Sequence, residues 1–411
     1  MKTTQTLDLD WVRRQFPALA TEEVFFDNAG GSQVYAGVAD RIRDYLLTTP
    51  VQLGASYARS EHATARVLAA RRAIAEFIHA PHDEAVVMGG STTSLLFQLT
   101  TALKPNLRPG DEIIVTDTDH ESNIGNWRRL SEAGAVIKTW RVNREALELD
   151  PAGLETLLTP RTRWVAMTHA SNVLGTINDV RAVADRVHAA GARLAVDGVA
   201  YAPHRMPDVA ASGADVYVFS FYKVFGPHYA VMAVERELLL SLPGLNHYFI
   251  APDDIPYKLQ PGNVNFELSH GAAGIPDYLD AVADHHGIEG SARERREGAF
   301  KLFARQEDAL STRLLDYLRG KRGVRIIGHD RVTSGKRVST VAFVKPGTPS
   351  ESIVRHVDRA NIGIRFGDFY AAHLIDALAL RELGGVVRVS MLHYNTVAEL
   401  DRLIASLEGV L

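Results

Sequence analysis

A regular alternation of short apolar runs and helical stretches between about residues 83 and 234 constrains this chain more than any other feature. Parallel strands need long crossover connections, usually helices, so this rhythm predicts βα units and a mainly parallel seven-stranded sheet in an α/β fold. The predicted strands are Ala85–Met88, Glu112–Thr116, Val136–Trp140, Arg163–Thr168, Arg193–Val196, Asp215–Phe219 and Tyr229–Val234. Helices are predicted between them at Thr92–Leu103, Ile124–Ala133 and Val180–Ala190.

The pattern changes after about residue 290. A long charged segment at Ser291–Leu318 predicts a helix, and short strands at Val324–Ile327 and Thr340–Val344 precede a further helix at Ser350–Ala360. This succession indicates a second, α+β domain. We therefore predict a large domain at 22–290 and a smaller α+β domain at 291–411, with residues 1–21 packing on the smaller one.

The amino-acid composition narrows the classes of partner and of site that the chain could have. The chain has 411 residues, a formal net charge of −4 and no cysteine. Interspersed charges argue against a nucleic-acid partner, and the absence of any apolar run near 20 residues argues against a membrane span. We therefore expect a small-molecule partner and a cytoplasmic location. Without cysteine there is no disulfide, no thiolate metal site and no relay of sulfur on a protein thiol, and no metal site is predicted.

Ligands of parallel α/β sheets bind beyond the carboxyl ends of the strands, so the residues following each strand are the candidates for a site. The run GGSTT at 89–93 opens a helix, where Ser91 and Thr92 could hold a phosphate at the positive helix end. The alternative is that this segment only caps the helix.

Three further strands end in candidate side chains. His120 could stack on a flat aromatic cofactor and carry a proton, although a structural histidine is the alternative. Asn172 would face the same crevice, or serve as a turn residue. Asp197 follows a strand that should be buried and therefore needs a cation, which a protonated pyridine nitrogen would supply; a helix cap is the alternative.

The run SFYK at 220–223 follows the sixth predicted strand and precedes a glycine–proline turn. Partial burial of Lys223 would lower the pKa of its amine and make it a nucleophile toward an aldehyde. A phosphate cradle, a stacking ring, a carboxylate for a ring nitrogen and a lysine for a Schiff base then occur along one sheet. Together they predict pyridoxal 5′-phosphate (PLP) as cofactor.

These residues resemble the class V aminotransferase family of fold-type I PLP enzymes, and within it the cysteine-desulfurase-like proteins. The resemblance covers nearly the whole chain. It includes FDNAG at 26–30, HASNVLGT at 169–176, and Ser220 with Lys223 in the lysine motif. It implies a large domain and a smaller α+β domain, with His120 as the ring-stacking histidine and Asp197 as the pyridinium partner.

The resemblance also implies contacts outside the sheet edge. QPGN at 260–263 is similar to the segment that reaches the phosphate of the neighbouring subunit, which implies a homodimer and a phosphate contact from Asn263. Arg388 aligns with the arginine that binds a substrate carboxylate, a bidentate role suited to its planar fork, although a surface arginine is the alternative. Asn28 and Tyr370 are assigned to the substrate side of the site.

The chain departs from the desulfurase pattern in three places. Ala200 stands where a glutamine contacts the ring hydroxyl, with Tyr201 and His204 as possible substitutes, and Tyr222 stands where a histidine precedes the lysine. Tyr370 occupies or neighbours the place of the persulfide cysteine. The prediction is therefore C–S β-elimination from a small amino acid without a persulfide. The alternatives are an aminotransferase or epimerase, decarboxylative or oxidative chemistry in a biosynthetic pathway, and a catalytically silent partner protein. A nucleotide-binding oxidoreductase is less favoured, because no G-x-G-x-x-G follows the first strand.

Overall fold

The computed structural model describes residues 6–333 and 335–411. Over these residues the strands run in chain order as follows: β1 Val24–Phe25, β2 Val86–Gly89, β3 Glu112–Thr116, β4 Val136–Trp140, β5 Val142–Asn143, β6 Glu148–Leu149, β7 Thr162–Thr168, β8 Arg193–Asp197, β9 Val216–Ser220, β10 Ala230–Val234, β11 Arg325–Ile327, β12 Thr340–Val344, β13 Ile362–Gly363, β14 Arg365–Gly367 and β15 Val386–Ser390.

The α-helices of the described residues are α1 Leu9–Arg14, α2 Ala36–Thr48, α3 Ala58–Phe77, α4 Thr92–Leu103, α5 Glu121–Arg128, α6 Pro151–Leu157, α7 Val180–Ala189, α8 Val209–Ser212, α9 Arg236–Ser241, α10 Phe266–Ala272, α11 Gly274–His285, α12 Ala292–Arg319, α13 Ser350–Asp358, α14 Ala372–Ala377 and α15 Val397–Leu407. None of them is both long enough and apolar enough to span a membrane.

The predicted seven-stranded sheet is confirmed, with each strand within two residues of its predicted bounds. Its order is β2-β10-β9-β8-β7-β3-β4. The four pairings from β9 to β4 are parallel, whereas β10 is antiparallel to both of its neighbours. The mainly parallel character of the sheet is therefore confirmed, and the carboxyl ends of β2, β3, β7, β8 and β9 meet at one edge.

Both faces of this sheet are buried. Along β3, Ile114 packs in one hydrophobic cluster while Ile113 and Val115 pack in another, because successive strand residues point to opposite faces. Burial on both sides explains why the strands read as continuous apolar runs.

A second sheet, ordered β11-β12-β15-β14, carries its own core against α12, α13 and α15. The start of the chain contacts both parts. Val12 and Phe16 join the main cluster beneath the large sheet, while Arg13 pairs with Glu399 at 2.8 Å and donates to the Tyr394 backbone oxygen. The proposed division at residue 290 stays a prediction.

Candidate active site

Two adjoining cavities lie at the carboxyl edge of the large sheet. They share His120, Asn172, Tyr222 and Lys223. The sheet-edge cavity is lined in addition by residues that follow β2, β8 and β9, and the small-domain cavity, of about 340 Å³, by residues of β14, β15 and the segment after β14. The predicted site residues that line one or both cavities are Ser91, Thr92, His120, Asn172, Asp197, Ser220, Lys223, Tyr370 and Arg388.

Lys223 lies in the single turn that follows β9 and is 7% exposed. Its Nζ donates to the backbone oxygen of Ala29 at 2.7 Å. Burial and the nearby Arg388 together lower the pKa of this amine to about 8, and Asp197 opposes the shift. The lowered pKa makes the neutral amine far more abundant near neutral pH than in an ordinary lysine, and the neutral amine is the state that attacks a carbonyl carbon.

Asp197 ends β8 and is 3% exposed. Its Oδ1 accepts from the backbone N–H of Val199 at 2.8 Å, and no ion pair to it is found in the described part of the chain. Burial raises the pKa of this carboxyl to about 6, although Lys223 lowers it. A buried carboxyl group held in this way favours a cationic ligand.

His120 caps the N-terminus of α5. Its Nδ1 accepts from the backbone N–H of Ser122 at 3.0 Å, and a backbone N–H can only donate, so the ring proton lies on Nε2. Burial, followed by Lys223 and Arg388, lowers the pKa of this imidazole to about 4. The structural and functional interpretations therefore both hold: His120 is a cap, and it presents a neutral ring to both cavities.

The predicted phosphate cradle lies at the first turn of α4. Ser91 is the N-cap, since its hydroxyl accepts from the backbone N–H of Ser94 at 3.1 Å. The hydroxyls of Thr92 and Ser220 are 2.7 Å apart and join this turn to the end of β9. This segment therefore both caps α4 and lines the sheet-edge cavity. The N–H groups and hydroxyls of the first helical turn suit the binding of an anion.

Arg388 is buried on β15 and faces the small-domain cavity. Its Nη2 pairs with Asp27 Oδ1 at 2.9 Å, its Nη1 donates to the Asn172 backbone oxygen at 3.3 Å, and the Phe369 ring lies 3.8 Å from its Cζ. Its Nε is buried without a partner. Burial lowers the pKa of this guanidinium, and Asp27 opposes that shift. The surface-arginine alternative is wrong, because Arg388 is 2% exposed.

Asn28 and Asn263 line neither cavity within the described residues. The Asn28 side chain donates to the Ser390 backbone oxygen at 2.8 Å and accepts from the Tyr394 hydroxyl at 2.5 Å, so it joins the segment after β1 to the end of β15. Asn263 lies exposed in the loop before α10, with φ of 118°. Their contacts with substrate and with phosphate stay predictions.

The segment after β14 bends through two consecutive left-handed residues, Phe369 and Tyr370, with φ of 54° and 57°. The Tyr370 backbone oxygen accepts from the N–H of Glu121 at 2.7 Å, and its ring centroid is 5.2 Å from that of His120. The Tyr370 side chain is 69% exposed. This bend brings a phenol, not a thiol, to the small-domain cavity.

The two proposed substitutes for the missing glutamine lie elsewhere. Tyr201 stacks on His169 with ring centroids 3.5 Å apart, and His204 bonds Glu307 at 2.9 Å. Ala200 itself lines the sheet-edge cavity. Neither Tyr201 nor His204 lines the sheet-edge cavity or the small-domain cavity within the described chain.

Several residues that line or support the cavities were not predicted as site residues, and three of them bear on the predicted ones. Tyr222 lines both cavities, Ser122 sets the His120 tautomer, and Asp27 pairs with Arg388. Ser122 could have been found from its place in the first turn after His120. Nothing in the sequence brings Asp27 to Arg388, 361 residues away.

The residues of the sheet-edge cavity fit PLP. Asp197 is a buried carboxyl group without an ion-pair partner among the described residues, Lys223 is a buried amine with a lowered pKa, and the first turn of α4 suits a phosphate. Each of these features is satisfied by a different part of the same molecule: a pyridine nitrogen, an aldehyde and a phosphate. The fold and the site define a PLP-dependent enzyme of fold-type I.

The chain belongs to the class V aminotransferase family, whose family model matches residues 24–249 and 264–403. It is 42% identical over 417 residues to the aminotransferase-like protein FGM3 of Gibberella zeae, covering 100% of each chain. It is 34% identical to the cysteine desulfurase-like protein ustD of Aspergillus flavus, covering 98% of this chain and 91% of that one.

The fold resembles that of the cysteine desulfurase CsdA from Escherichia coli, with a TM-score of 0.84, 26% identity and 98% of each chain covered. A cysteine desulfurase from Thermococcus onnurineus NA1 superposes with a TM-score of 0.86 at 23% identity over 99% of each chain, which bears on the fold alone. The predicted family and fold are confirmed, and the family is one of enzymes, which disfavours the silent-partner and oxidoreductase alternatives.

Proposed function

We propose that this enzyme uses PLP held by Lys223 to cleave a C–S bond in a small α-amino acid and releases the sulfur product directly. One observation carries the proposal. Lys223, Asp197 and Arg388 line two joined cavities together with a tyrosine, in a chain that has no cysteine. The site thus has the residues needed for chemistry at an α-carbon, and the chain has no thiol that could accept sulfur.

When bound, PLP supplies an electron sink for the α-carbon of an amino acid. Asp197 would hold the negative charge that keeps the ring nitrogen protonated, and His120 would present a neutral ring that stacks without adding charge. Lys223 would accept the α-proton, because burial lowers the pKa of its amine to about 8 and leaves about half of it neutral at that pH. In β-elimination the Cα–H and Cβ–S bonds break and the sulfur leaves as a thiol or sulfide. The residual 2-aminoacrylate then hydrolyses to pyruvate and ammonium.

Arg388 would bind the substrate carboxylate, which makes the substrate an amino acid and not a simple amine. We expect Arg388→Lys to lower kcat/KM about 10- to 100-fold, because a lost charge-assisted hydrogen bond of about 1.5–3 kcal/mol has that effect. The measurement compares an amino acid with its decarboxylated amine. Arg355→Lys, at an exposed site on α13 that lines neither cavity, is the control and should leave kcat/KM unchanged. Equal activity on amino acid and amine would contradict the role of Arg388.

The missing thiol gives a prediction about covalent chemistry. A desulfurase cysteine attacks the substrate sulfur as a thiolate, and no other side chain forms that persulfide. We expect the intact mass of the protein to stay unchanged after incubation with L-cysteine without reductant, while sulfide and pyruvate accumulate. An added sulfur that a thiol removes would refute direct release.

Transamination is the second candidate, because the relative that is 42% identical over the full chain is described as aminotransferase-like. The same Lys223 would then return the proton to the cofactor carbon; an epimerase would return it to the α-carbon. A panel of amino acids, scored for pyruvate, sulfide, racemised substrate and pyridoxamine phosphate, separates these outcomes. Pyridoxamine phosphate without pyruvate would favour transamination over elimination.

The homodimer and the cytoplasmic location also belong to this proposal. Asn263 lies on an exposed loop, and the neighbouring segment exposes Tyr248 and Phe249 at 99% and 69%. Large exposed aromatic side chains on one segment favour burial against a second copy. Asn263 would then reach the phosphate of the neighbouring subunit. A monomeric mass in solution for the PLP-bound protein would contradict this arrangement.

A further inference from the structure

Asp119 is a buried carboxyl group that the proposed mechanism does not use. It lies between β3 and α5, directly before His120, and is 0% exposed. Its Oδ1 accepts from Asn123 Nδ2 at 2.7 Å, and its Oδ2 accepts from the backbone N–H of Thr168 at 3.1 Å and from the Thr116 hydroxyl. These contacts join the turn after β3 to the end of β7.

The two carboxyl oxygens of Asp119 each face a group that can only donate. The Thr168 backbone N–H has no other possibility. The Asn123 amide is fixed in orientation, because its Oδ1 accepts from the indole N–H of Trp127 at 3.1 Å and an indole nitrogen only donates. An asparagine at position 119 would place its NH₂ against one of these donors in either orientation. The pocket therefore selects a carboxyl group over an amide of the same shape.

Simple packing does not account for a carboxyl group at this place. Among the described residues no ion pair involves Asp119. Burial, together with the nearby Asp197 carboxylate, raises the pKa of its carboxyl group to about 7, although its hydrogen bonds oppose the shift. A buried acid beside a second acid is electrostatically unfavourable, so its hydrogen bonds must provide something that a neutral residue does not.

Those hydrogen bonds join the two parts of the site that flank the cofactor ring. Asn123 lies in the first turn of α5, whose cap is His120. Thr168 is the cross-strand partner of Asp197 in the β7–β8 pairing. One carboxyl group thus connects the turn that carries the stacking histidine to the strand beside the pyridinium carboxylate.

We propose that Asp119 is a positioning residue, which holds the His120 ring at the sheet-edge cavity by bonding Asn123 and Thr168. The inference rests on the proposed function, since it takes PLP as the ligand of that cavity. Asp119 acts through His120, so its contribution to PLP binding disappears when the imidazole is absent.

The test is a double-mutant cycle on PLP affinity, measured by titrating the apo-protein with PLP and following Trp fluorescence. We expect Asp119→Asn to weaken binding about three- to tenfold, the effect of losing one aromatic stacking contact. His120→Ala should have a similar effect, and the double variant should be no weaker than His120→Ala. The proposal would be overturned if Asp119→Asn weakened PLP binding by the same factor in the His120→Ala background as in the wild type. It would also be overturned if the Asp119→Asn variant bound PLP with wild-type affinity.

An exchange variant controls for damage to the fold. Asn123→Asp alone sets two acceptors against each other, whereas Asp119→Asn with Asn123→Asp restores every donor–acceptor pair, including the Trp127 contact. We expect the exchange to recover near wild-type PLP affinity and thermal stability. Should Asp119→Asn not fold, the exchange carries the test by itself, and a folded exchange variant with weak PLP binding overturns the proposal. A wild-type protein that does not bind PLP would contradict the proposed function instead.

Discussion

Lys223→Ala is expected to abolish turnover and the visible absorption band of the lysine-bound cofactor. Among the described residues, Lys223 is the only lysine that lines either cavity, and its lowered pKa of about 8 makes it a nucleophile at neutral pH. The effect should be essentially complete, because the same amine both holds the cofactor and carries the α-proton. Activity is measured as pyruvate formation, and cofactor binding as absorbance between about pH 7 and 8.

Borohydride reduction followed by peptide mass spectrometry provides the control. Lys258 is the other buried lysine of the described chain, and it offers a matched comparison. Its Nζ donates to three backbone oxygens, those of Leu240, Leu242 and Pro252, and it lines neither cavity. The reduced cofactor should be found on Lys223 alone. A pyridoxyl group on Lys258 would show that the site has been assigned to the wrong lysine.

Asp197→Asn is expected to leave PLP bound but to slow proton removal from the α-carbon. An asparagine can still accept from the Val199 backbone N–H, so the substitution isolates the charge. Losing one partner of a buried ion pair costs about 3–5 kcal/mol, which is roughly a hundred- to several-thousand-fold in rate if it appears in the transition state.

The measurement is exchange of the substrate α-proton with deuterium, since this step precedes any leaving group. Retained cofactor absorbance with slow exchange is the expected pattern. Near-normal exchange in Asp197→Asn would mean that the ring nitrogen does not depend on this carboxylate.

Much of the large domain could be predicted from the sequence, because burial on both faces makes each strand a continuous apolar run. The strands Glu112–Thr116 and Val136–Trp140 have their predicted bounds. The helix predicted at Ile124–Ala133 instead begins at Glu121 and ends at Arg128, followed by a tighter turn to Ala133. Its start was missed because the His120 cap determines it, and the apolar periodicity begins only at Ile124.

The order of the strands in the large sheet could not be predicted from the sequence pattern. Helical crossovers predict parallel pairing, but β10 enters between β2 and β9 in the opposite direction. This insertion brings the cap of α4 beside the end of β9, so Thr92 and Ser220 touch although 128 residues separate them. The local periodicity of the sequence does not indicate which strands are neighbours in the sheet.

The sequence by itself determined the chemistry available to this protein: a lysine, an aspartate and a histidine after three strands, and no thiol anywhere in the chain. Only the tertiary structure decided how these groups act on one another. Asp27 neutralises Arg388, and Asp119 lies close enough to Asp197 to raise its own pKa. The physical reason is that residue type is a local property, whereas burial and distance, which determine charge and pKa, depend on which strand ends the fold brings together.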